Sequence, residues 1–96
     1  MEEFVVTTAV GTITVRIEPA EPTAVLELAL EDPDPAQRAA TAAVDALAAE
    51  LLGPRALDRV VVFVPATDER TQRMLEGAEI RAVAADGDDL VYMRRR

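Results

Sequence analysis

The chain has 96 residues, enough for one domain with a core but too few for separate cofactor and substrate domains. Eighteen acidic residues against ten basic ones give a net charge of -8, a field that repels phosphate backbones and anionic membrane surfaces, so neither nucleic acid nor membrane is an expected partner. Cys, His, Ser, Asn, Lys and Trp are all absent, which removes thiol and Ser-His nucleophiles and the ordinary His/Cys metal sites together.

The start, "MEEFVV", has no basic segment followed by an apolar one, and no apolar run nears the ~18 residues of a membrane span, so a soluble cytoplasmic protein is expected. "EFVVTTAVGTITVRIE" reads as a hairpin turning at Ala9-Val10-Gly11, with Ile13, Val15 and Ile17 alternating with Thr12, Thr14, Arg16 and Glu18. After the break at Pro19 to Pro22, "TAVLELALE" sets Leu26, Leu28 and Leu30 on one face of a third strand and Val25, Glu27, Ala29 and Glu31 on the other.

From Pro35 to Leu52 the period becomes helical, with Ala40, Val44, Leu47, Ala48 and Leu51 on one stripe and Gly53-Pro54 as the stop. Asp34 before Pro35 has the pattern of an N-cap followed by proline at the first helical position, so its carboxylate is expected to take the free N–H groups there. Asp32 adds a second negative charge nearby.

The unbroken apolar run "DRVVVFVP" predicts a central strand covered on both faces. "TDERTQRMLEGAE" predicts a short helix capped by Thr67 or Asp68, with Met74, Leu75 and Ala78 inward. The closing segment predicts a hairpin around Asp86-Gly87; that turn accounts for the Asp86-Gly87-Asp88-Asp89 cluster without a metal ion. The C-terminal Arg94 to Arg96 reads as a solubilising tail or, less simply, a binding patch.

The predicted order is β-β-β-α-β-α-β-β, an α/β chain with a mixed sheet (α+β in its segregation). With its punctuation it resembles the later two-thirds of a GNAT-superfamily N-acetyltransferase. Four stretches carry the resemblance: "VGTITVR", "AVLELALEDPDPAQRAATAAVDALAAE", "LDRVVVFVPATDERTQRMLEGAEIR" and "DGDDLVYMRR". It implies one GNAT-like domain over residues 1-96, without the family's N-terminal strand and two helices that wall the acceptor pocket. It also implies acetyl-CoA as cofactor, its pyrophosphate held on backbone N–H groups of a Gln/Arg-x-x-Gly-x-Gly/Ala loop that opens the long helix.

That loop falls on Gln37, Arg38, Ala39, Ala40, Thr41 and Ala42, with Gln37 and Ala42 fitting and Ala40 standing where the key glycine is expected. An extra methyl there obstructs close approach by a phosphate, and the neighbouring carboxylates repel it, so acetyl-CoA is expected to bind weakly or not at all. By the same resemblance Leu28 and Leu30 are cofactor-binding positions on the third strand, the backbone N–H of Leu28 or Ala29 is the candidate oxyanion donor, and the family's pantetheine-facing Asn corresponds to Asp68, with Thr71 beside it. Leu75 stands where many members place a general-acid Tyr.

Direct attack of an amine on a thioester needs a base, an oxyanion donor and positioning but no protein nucleophile. Glu27 is the candidate base and Tyr92 the candidate phenolic acid; the plainer readings are an exposed Glu paired with Arg and a Tyr packed on the sheet. Three uses remain open. They are a reduced acyltransferase or acyl-CoA binder, a non-catalytic module that dimerises through a sheet edge or bare apolar face, and a subunit completed by a protein partner.

Overall fold

The computed structural model of the chain describes residues 1–96. Eight elements follow one another: β1 (Glu2–Thr8), β2 (Gly11–Glu18), β3 (Thr23–Leu30), α1 (Arg38–Leu52), β4 (Arg59–Pro65), α2 (Glu69–Gly77), β5 (Arg81–Asp86) and β6 (Asp89–Arg95). The order is the predicted one. The six strands form one mixed sheet in the order β1-β2-β3-β4-β6-β5, antiparallel throughout except for the β3–β4 pair that α1 connects.

Alternation in the strands explains the layering. Ile13, Val15 and Ile17 from β2, Ala24 and Leu26 from β3, and Val60, Val62 and Val64 from β4 share one face. They pack there against Val44, Leu47, Ala48 and Leu51 of α1 and Met74 and Leu75 of α2. Both helices therefore cover the same face, and the core is a single cluster of mostly small and branched side chains.

The opposite face carries no helix, which corrects the expectation that β4 is covered on both sides. Val61 is buried there only because it sits in a row between Val25 of β3 and Met93 of β6. Phe63, one step along, is 47% exposed. A continuous apolar run in sequence thus reflects a central position in the sheet, with lateral neighbours supplying the cover that a second helical layer would otherwise give.

Two turns depend on glycine. Gly11 has φ 139°, and a Cβ there would lie 2.1 Å from the Ala29 carbonyl oxygen, so the first hairpin can swing against β3 only without a side chain. Gly87, at φ 61°, opens the closing hairpin, whose two-residue loop is Gly87-Asp88, one position later than predicted.

The start of α1 also differs from expectation. The helix begins at Arg38 rather than Pro35, and its N-cap is Gln37 in the left-handed region at φ 52°. Asp34 and Pro35 instead occupy the first two positions of a β-turn closed by Gln37 N–H donating to the Asp34 carbonyl at 2.8 Å. Asp followed by Pro suits that turn as well as it suits a helix start, and here the turn prevails.

Candidate functional site

The sheet opens between its two parallel strands. β3 and β4 pair from Thr23↔Arg59 to Leu26↔Val62 and no further, although the strands continue to Leu30 and Pro65. Beyond that last pair they diverge and leave a wedge. On the helix-free face a hollow of about 380 Å³ is lined by Arg16, Glu27, Leu28, Val64, Asp68 and Thr71, among others. On the helix side a second hollow of about 440 Å³ is lined by Leu28, Leu30, Asp32, Gln37, Ala40 and Arg70, among others. Leu28 and Thr71 border both, so the two hollows meet across the wedge.

The helix-side hollow ends at the first turn of α1, where N–H groups lack partners within the helix. The carboxylate that meets them is Asp32, not Asp34. Its Oδ2 accepts from the Ala40 N–H at 2.9 Å and its Oδ1 from the Asp34 N–H at 3.0 Å. Asp34, by contrast, accepts from the Ala36 N–H at 2.9 Å within its own turn and pairs with exposed Arg38 at 3.4 Å.

Asp32 is 7% exposed, and its pKa is lowered first by the Ala40 N–H bond, then by that from Asp34, against an opposing effect of burial; the Ala39 N–H and the Arg70 charge add to the lowering. An ionised carboxylate that accepts from these amides satisfies donors that an anionic ligand at a helix start would use.

Arg70 holds this arrangement from α2. Its guanidinium donates to the backbone carbonyl of Asp32, and its own carbonyl accepts from the Gln37 amide nitrogen at 2.9 Å. Gln37 is thereby kept in its left-handed conformation and 8% exposed. Nothing near Arg70 in the chain announces this role, because both contacts span more than thirty residues. Asp32 was legible only as a charge near the mouth, since a side chain eight residues ahead of its donor falls outside local capping patterns.

The other predicted residues separate into those the wedge gathers and those it does not. Asp68 lines the open-face hollow as the N-cap of α2, accepting from the Thr71 N–H at 3.1 Å and from the Thr71 hydroxyl at 2.7 Å. Glu27 lines the same hollow but is exposed and pairs with Arg16 at 2.9 Å. Tyr92 lines neither hollow; it lies in the helix-side core, 2% exposed, opposite Val62. Burial first and the Glu76 charge second raise its pKa. Glu27 and Tyr92 thus project from opposite faces of the sheet and do not converge on one reacting atom.

Of the remaining loop residues, Ala40 and Gln37 border the helix-side hollow. Arg38, Ala39 and Ala42 are exposed, and Thr41 turns toward Gly77 of α2. Leu75 is fully buried in the core.

No protein-family model and no curated protein matches the sequence. Solved structures do match the fold. An assigned ribosomal-protein-serine acetyltransferase of Vibrio cholerae superposes with a TM-score of 0.80 at 14% identity, over 91% of this chain and 56% of that one. An acetyltransferase of the GNAT family from Bacillus anthracis gives 0.76 at 14% identity, over 90% and 58%. An acetyltransferase from Agrobacterium tumefaciens gives 0.70 at 22% identity, over 91% and 53%. The chain spans a little over half the length of these structures. At such identities the likeness establishes a GNAT-like fold, with the expected order of strands and helices, and leaves the reaction to be argued from the site.

Proposed function

We propose that the chain is a GNAT-like acyltransferase-type domain in which the seat for the acetyl-CoA pyrophosphate is closed by the protein itself, so that the cofactor is held weakly or not at all. The observation that carries this reading is the bond between the Asp32 carboxylate and the Ala40 N–H. In the register of the family's loop, that amide belongs to the residue standing in place of the key glycine. A diphosphate seated there would have to displace a carboxylate held by several amides and would meet the charge of Asp34 as well. The residues present do not fit the group.

The wedge between β3 and β4 keeps the shape that the family uses to admit a pantetheine arm, while the polar groups around it are engaged with one another. Asp68 accepts from Thr71, and Glu27 pairs with Arg16. Calorimetric titration with acetyl-CoA tests the reading, together with the thermal shift it produces. A ligand present at 100 times its Kd adds about 2.7 kcal/mol of stability, so a micromolar binder would raise the midpoint clearly. A micromolar isotherm with such a rise overturns the proposal; a flat isotherm and an unmoved midpoint support it.

The second reading, a non-catalytic GNAT-fold interaction module, is favoured by the helix-free face. Val25, Val61, Phe63 and Met93 form an apolar strip there, and Phe63 leaves about half of its surface in contact with solvent. The module would act as a homodimer or as a subunit completed by a protein partner. Light scattering over a concentration series tests the homodimer, and a monomer that also captures no partner in a pull-down counts against the module.

A further inference from the structure

The two edges of the sheet are built differently. β5 is interrupted by a register shift between Ala82 and Ala84, and all six of its residues are exposed. Such irregularity blunts an edge against further pairing. β1, at the other edge, pairs with β2 without a break over seven residues and contains no proline or basic residue. Its inward side chains Phe4 and Val6 pack toward the core, and its outward Val5 is 59% exposed.

Beside this edge α1 bounds a groove of about 610 Å³, with Phe4 and Val6 on the strand side and Ala43, Leu47 and Leu51 on the helix side. A further strand hydrogen-bonded to β1 would place every second side chain along this groove, because alternate residues of a strand face the same way.

We propose that the occupant is β1 of a second copy, paired antiparallel in a register centred on Val5 and forming one continuous sheet across two protomers. The sequence of β1, Glu-Glu-Phe-Val-Val-Thr-Thr, makes this register self-complementary. Val5 meets Val5, Phe4 meets Val6, and each of Glu2 and Glu3 meets a threonine of the other copy rather than a glutamate, which avoids directly opposed like charges. The two-fold axis stands normal to the sheet, so Phe4 and Val6 of both copies lie on the helix side and extend the groove-filling row.

Local charge permits the approach in spite of the net charge of -8. Glu2 is paired with Arg55, whose guanidinium also lies over the Phe4 ring, and Glu3 is paired with Arg16 at 3.5 Å. Glu2 is therefore offset within its own protomer, and Glu3 in part, because Arg16 also pairs with Glu27 at 2.9 Å. What remains between two copies is the residual charge at Glu3 and the long-range repulsion of the net charge, both of which salt screens, so association strengthens as ionic strength rises.

The natural absence of cysteine makes a clean test. A single Val5→Cys places two thiols directly opposite each other at cross-strand distance, and mild oxidation should join most of the protein into a disulfide-linked dimer. Glu3→Cys and Thr7→Cys should each stay unlinked alone and cross-link when mixed, because residue 3 faces residue 7 of the other copy. Val5→Lys, at an exposed position, should shift wild-type dimer to monomer by light scattering with the circular dichroism spectrum unchanged. The proposal fails if folded wild type stays monomeric up to roughly 100 μM in added salt. It fails equally if a dimer persists in Val5→Lys, or if Val5→Cys links no better than the residue 3 and residue 7 variants alone. Each readout is independent of whether acetyl-CoA binds.

Discussion

The Asp32 carboxylate accepts a 2.9 Å hydrogen bond from the N–H of Ala40, eight residues later, and so closes the start of α1 from outside the helix. If that closure is what keeps a diphosphate out, removing it should admit one. Asp32→Ala combined with Ala40→Gly both frees the amide and restores close approach, and acetyl-CoA affinity should rise at least tenfold over wild type by calorimetry. Asp32→Asn separates charge from occupancy: it keeps an acceptor at the Ala40 N–H, so it should recover only a part of that gain. Equal, undetectable binding in all three proteins would remove Asp32 from the account.

Asp32 also links stability to acid. Its folded pKa lies below the ordinary carboxylate value, chiefly because of the Ala40 N–H. A depressed carboxylate contributes stability that is present above the unfolded value, about 4, and is lost as pH falls through the lower folded value. Wild type should therefore lose its advantage over Asp32→Asn progressively below pH 4, while the two melting curves run parallel between pH 5 and 8. Tyr92 acts at the other end. Burial raises its pKa, so its contribution is intact below about pH 10 and declines above it, and Tyr92→Phe should flatten that alkaline decline.

How far this was legible depends on the range of each interaction. The alternation of Ile13, Val15 and Ile17, the helical stripe from Ala40 to Leu51 and the breakers at Gly53-Pro54 are short-range patterns, and each element they predict is present. Asp68 as a cap was readable because its acceptor lies three residues from its donor. The start of α1 was not, since Asp34-Pro35 satisfies two local templates and the choice between them is made by Arg70 and Gln37 across the fold. The bare face behind Phe63 was hidden for a related reason: a run of valines reports burial without saying whether a helix or a neighbouring strand provides it.

Asp68 offers a check on the second helix and on the wedge together. Asp68→Ala removes a side chain that accepts from both the backbone and the hydroxyl of Thr71, and should cost about 1 kcal/mol in urea denaturation, the usual loss for an N-cap. Asp68→Asn keeps an acceptor for the Thr71 N–H and should cost well under half as much. Glu27→Gln provides the contrast within the same hollow. Its partner Arg16 is half exposed, and exposed ion pairs contribute about 0–1 kcal/mol, so stability should move by less than roughly 0.5 kcal/mol.

The two left-handed glycines separate backbone strain from steric exclusion. Gly87 has φ 61° with open space around the position of a Cβ, so Gly87→Ala carries only the conformational penalty of a left-handed alanine, about 1–2 kcal/mol. Gly11 has φ 139°, and its added methyl would sit 2.1 Å from the Ala29 carbonyl oxygen, which belongs to the backbone of β3 and has little freedom to retreat. Gly11→Ala should therefore cost more than 3 kcal/mol, or prevent folding, because relief requires β2 and β3 to part next to the wedge. Paired urea titrations of the two variants measure the difference. Equal costs would mean that the first hairpin shifts away from β3 freely, and that the close approach at Gly11 does not set the position of β3.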